Sequence, residues 1–420
     1  MPHERRRDGF HGRAAAVWRV PGMLLIIVIT TLAALSCDED PAGELVGRYI
    51  YYVHGENFSA RELRRHDIVS GADVAVHAGS IVSVSEVAAN GRLLLETQSG
   101  NTWPPDYHLF VLETGVPARP VPLPVPASSS DEYVYASGRY GEHASAAISY
   151  AGEHAAFFAW KRPMASMDSS KYTLHFCVYD FRSGRASTLD LSGFLAEYYA
   201  AQGGDFRPDR PQVAAAALSN DGRLAALELW VIEMEGGAAW RHRTLLLGGS
   251  TDGMHVLEDV AVPGSPGWRR VAFDPAAALL YVARTDQKLM IYDCRGGSRE
   301  GVFPPTYNIP AFHRLSARSG EYGTYDSNQQ RLFLTRPSDA REHDVPFSRD
   351  MLEARFPDVQ WLLGSHWNCA VSPDGEWITF IADHLGKTCL YAIRRDGSFI
   401  RRIACGSFDV PPVVSDVIGR

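Results

Sequence analysis

The chain has 420 residues, 45% of them hydrophobic and 21% charged, a globular balance with enough length for a large core. Its formal charge is −8, and the first 36 residues alone are net +3 (five Arg against one Glu and one Asp), which leaves −11 on the remainder. An acidic body of this kind excludes nucleic acid as a partner, because neutralising phosphates requires a basic face.

The N-terminus reads in three parts. Arg5, Arg6, Arg7, Arg13 and Arg19 form a positive leader, Met23 to Leu35 is apolar, and Asp38-Glu39-Asp40 opens a polar stretch. The apolar run is shorter than the about 20 residues of a membrane-spanning helix, and its flanks are those of a secretory signal. Ala34-Leu35-Ser36-Cys37 resembles the bacterial lipoprotein cleavage site, with Ala34 where that family has Leu. The resemblance implies that residues 1–36 are a signal peptide, that Cys37 becomes a lipid-bearing N-terminus, and that 37–44 are a tether. The alternative is an uncleaved anchor, or an ordinary signal peptide with Cys37 incidental.

From residue 45 to 420 the chain repeats itself. Seven times a turn-forming Gly, Asn or Pro lies between two apolar stretches, and a second turn follows. The first turns are Gly47-Arg48, Ala89-Asn90-Gly91, Tyr150-Ala151-Gly152, Ser219-Asn220-Asp221-Gly222, Asp274-Pro275, Ser319-Gly320 and Ser372-Pro373-Asp374-Gly375. Asn-Gly and Asp-Gly reach positive φ cheaply, as tight hairpin turns require. The second turns include Asp67-Ile68-Val69-Ser70-Gly71, Asp180-Phe181-Arg182-Ser183-Gly184, Asp293-Cys294-Arg295-Gly296 and Asp396-Gly397. A unit of strands and turns at a period of roughly 40–60 residues is the mark of a propeller. The expected fold is therefore an all-β propeller of seven four-stranded blades, with six or eight as alternatives, in a single domain.

The first repeat lacks a strand before Gly47, and the tail from Val410 to Ile418 is apolar and otherwise unassigned. The tail is expected to supply that strand and close the ring, hiding the sheet edges. Pro117 to Pro126 reads as an extended loop or an edge strand. Two stretches have helical character: Ser192 to Gln202, capped by Ser192 and ended by Gly203-Gly204, and Ser348 to Phe356, stopped by Pro357.

Five cysteines follow Cys37: Cys177, Cys294, Cys369, Cys389 and Cys405. Cys389 and Cys405 lie symmetrically about Gly397, so they can face each other across a hairpin and form a disulfide. The preferred reading is the plainer one, two small buried hydrophobes, as free Cys usually behaves.

Ser372-Pro373-Asp374-Gly375, the strand after it, Cys389-Leu390-Tyr391-Ala392-Ile393 and Asp396-Gly397 resemble the WD-like repeat of TolB-type propellers, and Ser219-Asn220-Asp221-Gly222 is a second match. The resemblance covers about residues 45 to 408, and it implies a periplasmic or surface protein that serves as a scaffold for other envelope proteins.

Catalytic signatures are missing from the sequence. It has no G-x-S-x-G elbow, no phosphate-binding glycine loop, no His-x-x-x-His and no zinc-spaced Cys/His cluster. Asp221 and Asp374 are explained by their turns rather than by calcium, so no metal or cofactor is expected. Trp230, Trp240, Arg241 and Arg243 offer an interaction patch of hot-spot residue types; the same segment also reads, preferably, as a hairpin whose Trp packs between blades. The functional expectation is a non-catalytic, lipid-anchored module that is held at a bacterial membrane through its N-terminal lipid and binds an envelope protein or peptide. The alternative is an enzyme centred on the channel, of the metal-dependent lactonase or lyase type.

Overall fold

The computed structural model describes residues 49–415 except 56, 69, 100–105, 114–115, 138–145, 165–170, 204–211, 236–238, 263–267, 277–278, 285–288, 297, 304–314, 327–330, 339–340, 358–368, 385–386 and 407–412. Cys37 and the whole leader and tether lie outside these residues.

The strands form seven antiparallel sheets, and the fold is a seven-bladed β-propeller of four-stranded blades. Blade 2 is typical: Ile81–Val84 is innermost, then Leu93–Ser99, Asp106–Glu113 and, at the outer edge, Val116–Pro120. Pro117 and Pro120 are tolerated there because an edge strand has a row of amides with no ladder to complete. Blade 4 runs Gln212–Leu218, Ala225–Glu235, Ala239–Ser250 and Gly253–Val262. In blade 6 the described residues give three of the strands, Tyr322–Asp326, Arg331–Arg336 and Arg341–Val345.

Blade 1 is assembled from both ends of the described chain. Its inner strand is Val413–Ser415, paired antiparallel with Tyr49–His54 in the register Tyr49 to Ser415, Ile50 to Val414 and Tyr51 to Val413. The tail thus closes the ring, as its apolar sequence implies. Blade 3 departs from the pattern. Its inner strand is described in two pieces, with Asp131–Ala136 pairing to 158–163 and Ala147–Ile148 pairing to 155–156.

The turns between first and second strands share one hydrogen-bond unit. In blade 4 the Ser219 amide donates to the Leu224 carbonyl, and the Leu224 amide returns to Ser219 Oγ at 3.0 Å. The Gly222 amide closes the turn on the Ser219 carbonyl, and Ser219 Oγ donates to Asp221 Oδ1 at 2.7 Å. Blade 7 repeats this with Ser372, Asp374, Gly375 and Trp377, and blade 3 with Ser149, Gly152 and His154. Asp274 takes the serine's place in blade 5, its Oδ1 accepting from the Leu279 amide at 2.8 Å. Ser149, Ser219 and Ser372 are wholly buried. Each hydroxyl satisfies an amide that would otherwise be buried without a partner, at a cost of about 1–3 kcal/mol.

These turns also lock onto one another. The Ala89 amide donates to the Tyr150 carbonyl, and the Ala151 amide to the Asn220 carbonyl. Asn220 Nδ2 reaches the carbonyls of Pro275 at 3.2 Å and Ala317 at 2.6 Å, joining blade 4 to blades 5 and 6 at once. Ser316 Oγ donates to the Ser372 and Pro373 carbonyls. A continuous belt of hydrogen bonds therefore runs from blade 2 to blade 7 at this end of the ring. The outer turns use the other expected device. Asp180 Oδ1 accepts from the Arg182 and Ser183 amides, Asp293 Oδ1 from Arg295, and Asp396 Oδ1 from Ser398.

Two helices interrupt the blades. α1, Leu191–Ala201, lies between blades 3 and 4, and its N-cap is Asp190, whose carboxylate accepts from the Gly193 amide. The expected cap, Ser192, is corrected: its Oγ instead accepts from the Leu174 amide and ties the helix to blade 3. α2, Arg349–Arg355, lies between blades 6 and 7 within the stretch expected to be helical, and its N-cap is Ser348, whose Oγ accepts from the Met351 amide. Leu191, Leu195 and Tyr199 of α1 pack with Phe158, Phe176, Leu229 and Val231 in the seam between blades 3 and 4.

Cys389 and Cys405 are register partners in blade 7, with Cα atoms 4.0 Å apart, and the structure joins them in a disulfide. This replaces the preferred reading of two free buried cysteines. Cys177, Cys294 and Cys369 are free and buried, and burial pushes their thiols well above the ordinary range, so they are inert as nucleophiles.

Two variants test this architecture. Gly222 has φ +72°, and a Cβ there would lie 2.4 Å from the His154 ring of blade 3. Gly222→Ala should therefore lower the unfolding free energy by about 2 kcal/mol or more in urea, and an unchanged midpoint would contradict the turn's role. Truncation after Gly406 removes the inner strand of blade 1. It should convert a cooperative melt and a monomeric elution into aggregation, by exposing the edge of Tyr49–His54.

Candidate interaction end and interblade seams

Antiparallel four-stranded blades place the first and third turns at one end of the ring. The middle turns and the connections between blades lie at the other. The first end is the hydrogen-bonded belt described above. The second carries the chain's additions: α1, α2, the segment 121–130 before blade 3, and the hairpin of blade 4. That hairpin has strands of 11 and 12 residues, against 5 and 5 for the matching strands of blade 5. Variable extensions on a rigid scaffold are where binding usually resides.

The residues singled out from the sequence sit on the long hairpin, but the described pair is divided between its faces. Trp230 is half-buried on the side toward blade 5, with Nε1 3.4 Å from Glu228 Oε1. Arg243 pairs in register with Val231, which packs toward blade 3. Its guanidinium donates to Asp259 Oδ1 at 2.7 Å and lies 5.9 Å from the Tyr199 ring of α1. Tyr198 also donates to Asp259. Arg243 thus fastens α1 to blade 4. Trp240 and Arg241 pair with Met234 and Glu233 farther along the hairpin, and their side chains are outside the described set.

Buried charge collects in the seams between blades. Between blades 6 and 7, Glu321 has no exposed surface and accepts a bidentate pair from Arg395 at 2.9 and 3.1 Å. Arg336 and His343 stand at 3.7 and 3.8 Å from the same carboxylate. Between blades 1 and 7, buried Tyr52 and half-buried Arg64 both donate to an exposed Asp73, while His66 is buried with neither ring nitrogen bonded. Burial holds the His66 imidazole below its ordinary pKa. In blade 2, Ser83 on the inner strand donates to the buried carboxylate of Glu96 at 2.7 Å. Between blades 4 and 5 lies Glu228, 1% exposed, its Oε2 without a hydrogen-bond partner. Burial pushes its carboxyl up to about 7, with the Trp230 contact opposing.

These acids were not anticipated from the sequence. The signal was present: Glu228 stands inside Ala225-Ala226-Leu227-Glu228-Leu229-Trp230-Val231, and in the second strand of a blade both faces are covered, so no alternation offers it to water. Among the described residues no group of three or more His, Cys, Asp or Glu is placed to hold a metal ion. Asp221 and Asp374 are engaged in their turns.

No protein-family model matches the chain, and no curated protein matches it. Solved structures similar to it include TolB from Acinetobacter baumannii, with 11% identity and a TM-score of 0.38 over 87% of this chain and 66% of that one. A protein from Lactobacillus plantarum has 13% identity and a TM-score of 0.44 over 88% and 99%. An oligogalacturonate lyase in complex with manganese has 13% identity and a TM-score of 0.47 over 82% and 85%. At such values the likeness carries no statement about activity, and the propeller is assigned from the chain's own blades.

The Glu321 clamp has a direct test. Arg395→Ala leaves a buried carboxylate short of its bidentate partner and should cost about 3 kcal/mol in chemical denaturation. Arg394→Ala, next to it but half exposed and 3.7 Å from an exposed Asp396, should leave the midpoint where it is. Equal effects would show that the clamp contributes nothing beyond surface charge.

Proposed function

We propose that the chain is an exported, lipid-anchored propeller of the bacterial cell envelope that binds another envelope protein or an extended peptide, without catalysis, at the end of its ring that carries α1, α2 and the long hairpin of blade 4. The observation that carries this reading is the asymmetry of the two ends. One is a belt of hydrogen-bonded turns in which Asn220 spans three blades, whereas the other holds the additions that a bare propeller does not need. The leader and Ala34-Leu35-Ser36-Cys37 support the address. The acidic charge of the body suits a protein or peptide partner better than a polyanion.

Two measurements test the two halves of this reading. Intact mass of the membrane-extracted protein should show a chain beginning at Cys37 with a diacyl or triacyl increment, and Cys37→Ala should lose both the increment and membrane retention. A mass still containing residues 1–36 would overturn the lipoprotein assignment. Crosslinking of the lipidated protein in intact cells through a cysteine-free photo-crosslinker at position 200, exposed on α1, should capture a specific envelope protein, and the same probe at position 182, on the belt end, should not. Capture at 182 and not at 200 would place binding on the wrong end.

A further inference from the structure

Glu228 sits where a carboxylate has little to hold it ionised. On its own strand Ala226 and Trp230 share its face, and its register partners are Ala215 on the inner strand and Leu246 on the third. The fourth strand brings Glu258 opposite Leu246. From blade 5 come Val282, Met290 and Tyr292, which pack with Ala226 and Leu246, and the Tyr292 hydroxyl donates to Glu258 Oε1. Among the described residues, the charged group on Glu228's own face of the sheet is another carboxylate, Glu258, two strands away, and no cation is placed beside Glu228. Glu321 shows the contrast, since three cationic or ionisable groups gather on its carboxylate in the seam of blades 6 and 7.

A buried acid without a counter-ion is tolerated in its neutral form, and its ionised form is stabilised only by admitting water. We propose that Glu228 is a proton-controlled latch between blades 4 and 5: neutral, it keeps the apolar seam closed; ionised, it loosens the seam and the long hairpin built on the same strand. Ala225–Glu235 carries both the acid and the extension toward the proposed binding end, so loosening the seam acts on the hairpin directly. The latch does not depend on how the chain is anchored or on what it binds.

The sign follows from the shift. With a pKa of about 7 in the fold and an ordinary value near 4.3 when unfolded, the folded chain holds more protons between these limits. Stability is full below about pH 4, falls as pH rises through this window, and levels off above about pH 7.

The experiment is hydrogen exchange with mass-spectrometric readout on the full chain from pH 5.5 to 8.5, corrected for intrinsic exchange rates, alongside the emission of Trp230. Protection of the amides of 225–231 and 280–283 should fall by on the order of tenfold to a hundredfold across this range. Glu228→Gln, neutral at every pH, should hold the protection seen at low pH throughout and abolish the emission change. Trp230→Phe should remove the optical signal and keep the exchange profile. A wild-type seam that does not respond to pH would overturn the latch. So would an unchanged pH profile in Glu228→Gln, or a Glu228→Gln chain that fails to fold at pH 8, because the neutral side chain is the closed state.

Discussion

The ring rests on one three-residue pairing. Tyr49, Ile50 and Tyr51 meet Ser415, Val414 and Val413, and through them the last segment of the chain becomes the inner strand of the first blade. A propeller blade is stable because neighbours cover both of its faces, and an open ring would leave two blades each with a bare apolar face. Ile50 and Tyr52 pack against Ala370, Ile381 and Leu390 of blade 7, while Tyr51 and Val53 pack against Val84 and Leu93 of blade 2. Closure thus buries both faces of the first sheet and makes every seam dependent on every other.

Covering both faces has a second consequence. At the centre of a middle strand both faces are covered, so a polar residue there must be satisfied inside the protein. The buried serines meet this demand locally, each within its own turn. Glu321 meets it across a seam with Arg395, at the risk that losing one partner strands the other. Glu228 does not meet it while ionised, and its lone Trp230 contact is weak at 3.4 Å. The seams therefore differ in chemistry although the blades share a fold, and in the proposed latch the closure of the seam between blades 4 and 5 depends on a proton.

The two ends of the ring divide rigidity from variation. At the belt, glycines such as Gly222 and Gly375 both adopt positive φ and lie within contact distance of the preceding blade, so the turns cannot vary without disturbing their neighbours. The other end carries α1, α2 and the long hairpin of blade 4. Arg243, whose residue type suggests a hot spot, is employed in holding α1 against that hairpin.

The repeat pattern, the closing tail and the two helices were legible in the sequence, because turn chemistry and apolar runs are local properties, whereas strand pairing decided between six, seven and eight blades and between a loop and an edge strand at Pro117. Ser219-Asn220-Asp221-Gly222 reads as a turn from its Asp-Gly, although its anchoring atom proves to be the serine hydroxyl, whose burial depends on the neighbouring blade. The bond between Cys389 and Cys405 needed the register of two strands, which spacing about Gly397 suggests and only pairing decides. The capping of α1 passed from Ser192 to Asp190 because Leu174, distant in sequence, claimed the Ser192 hydroxyl. Tertiary structure alone decided which acids are clamped and which are left bare. A carboxylate's state depends on what the next blade presents to it, and no stretch of sequence contains both sides of a seam.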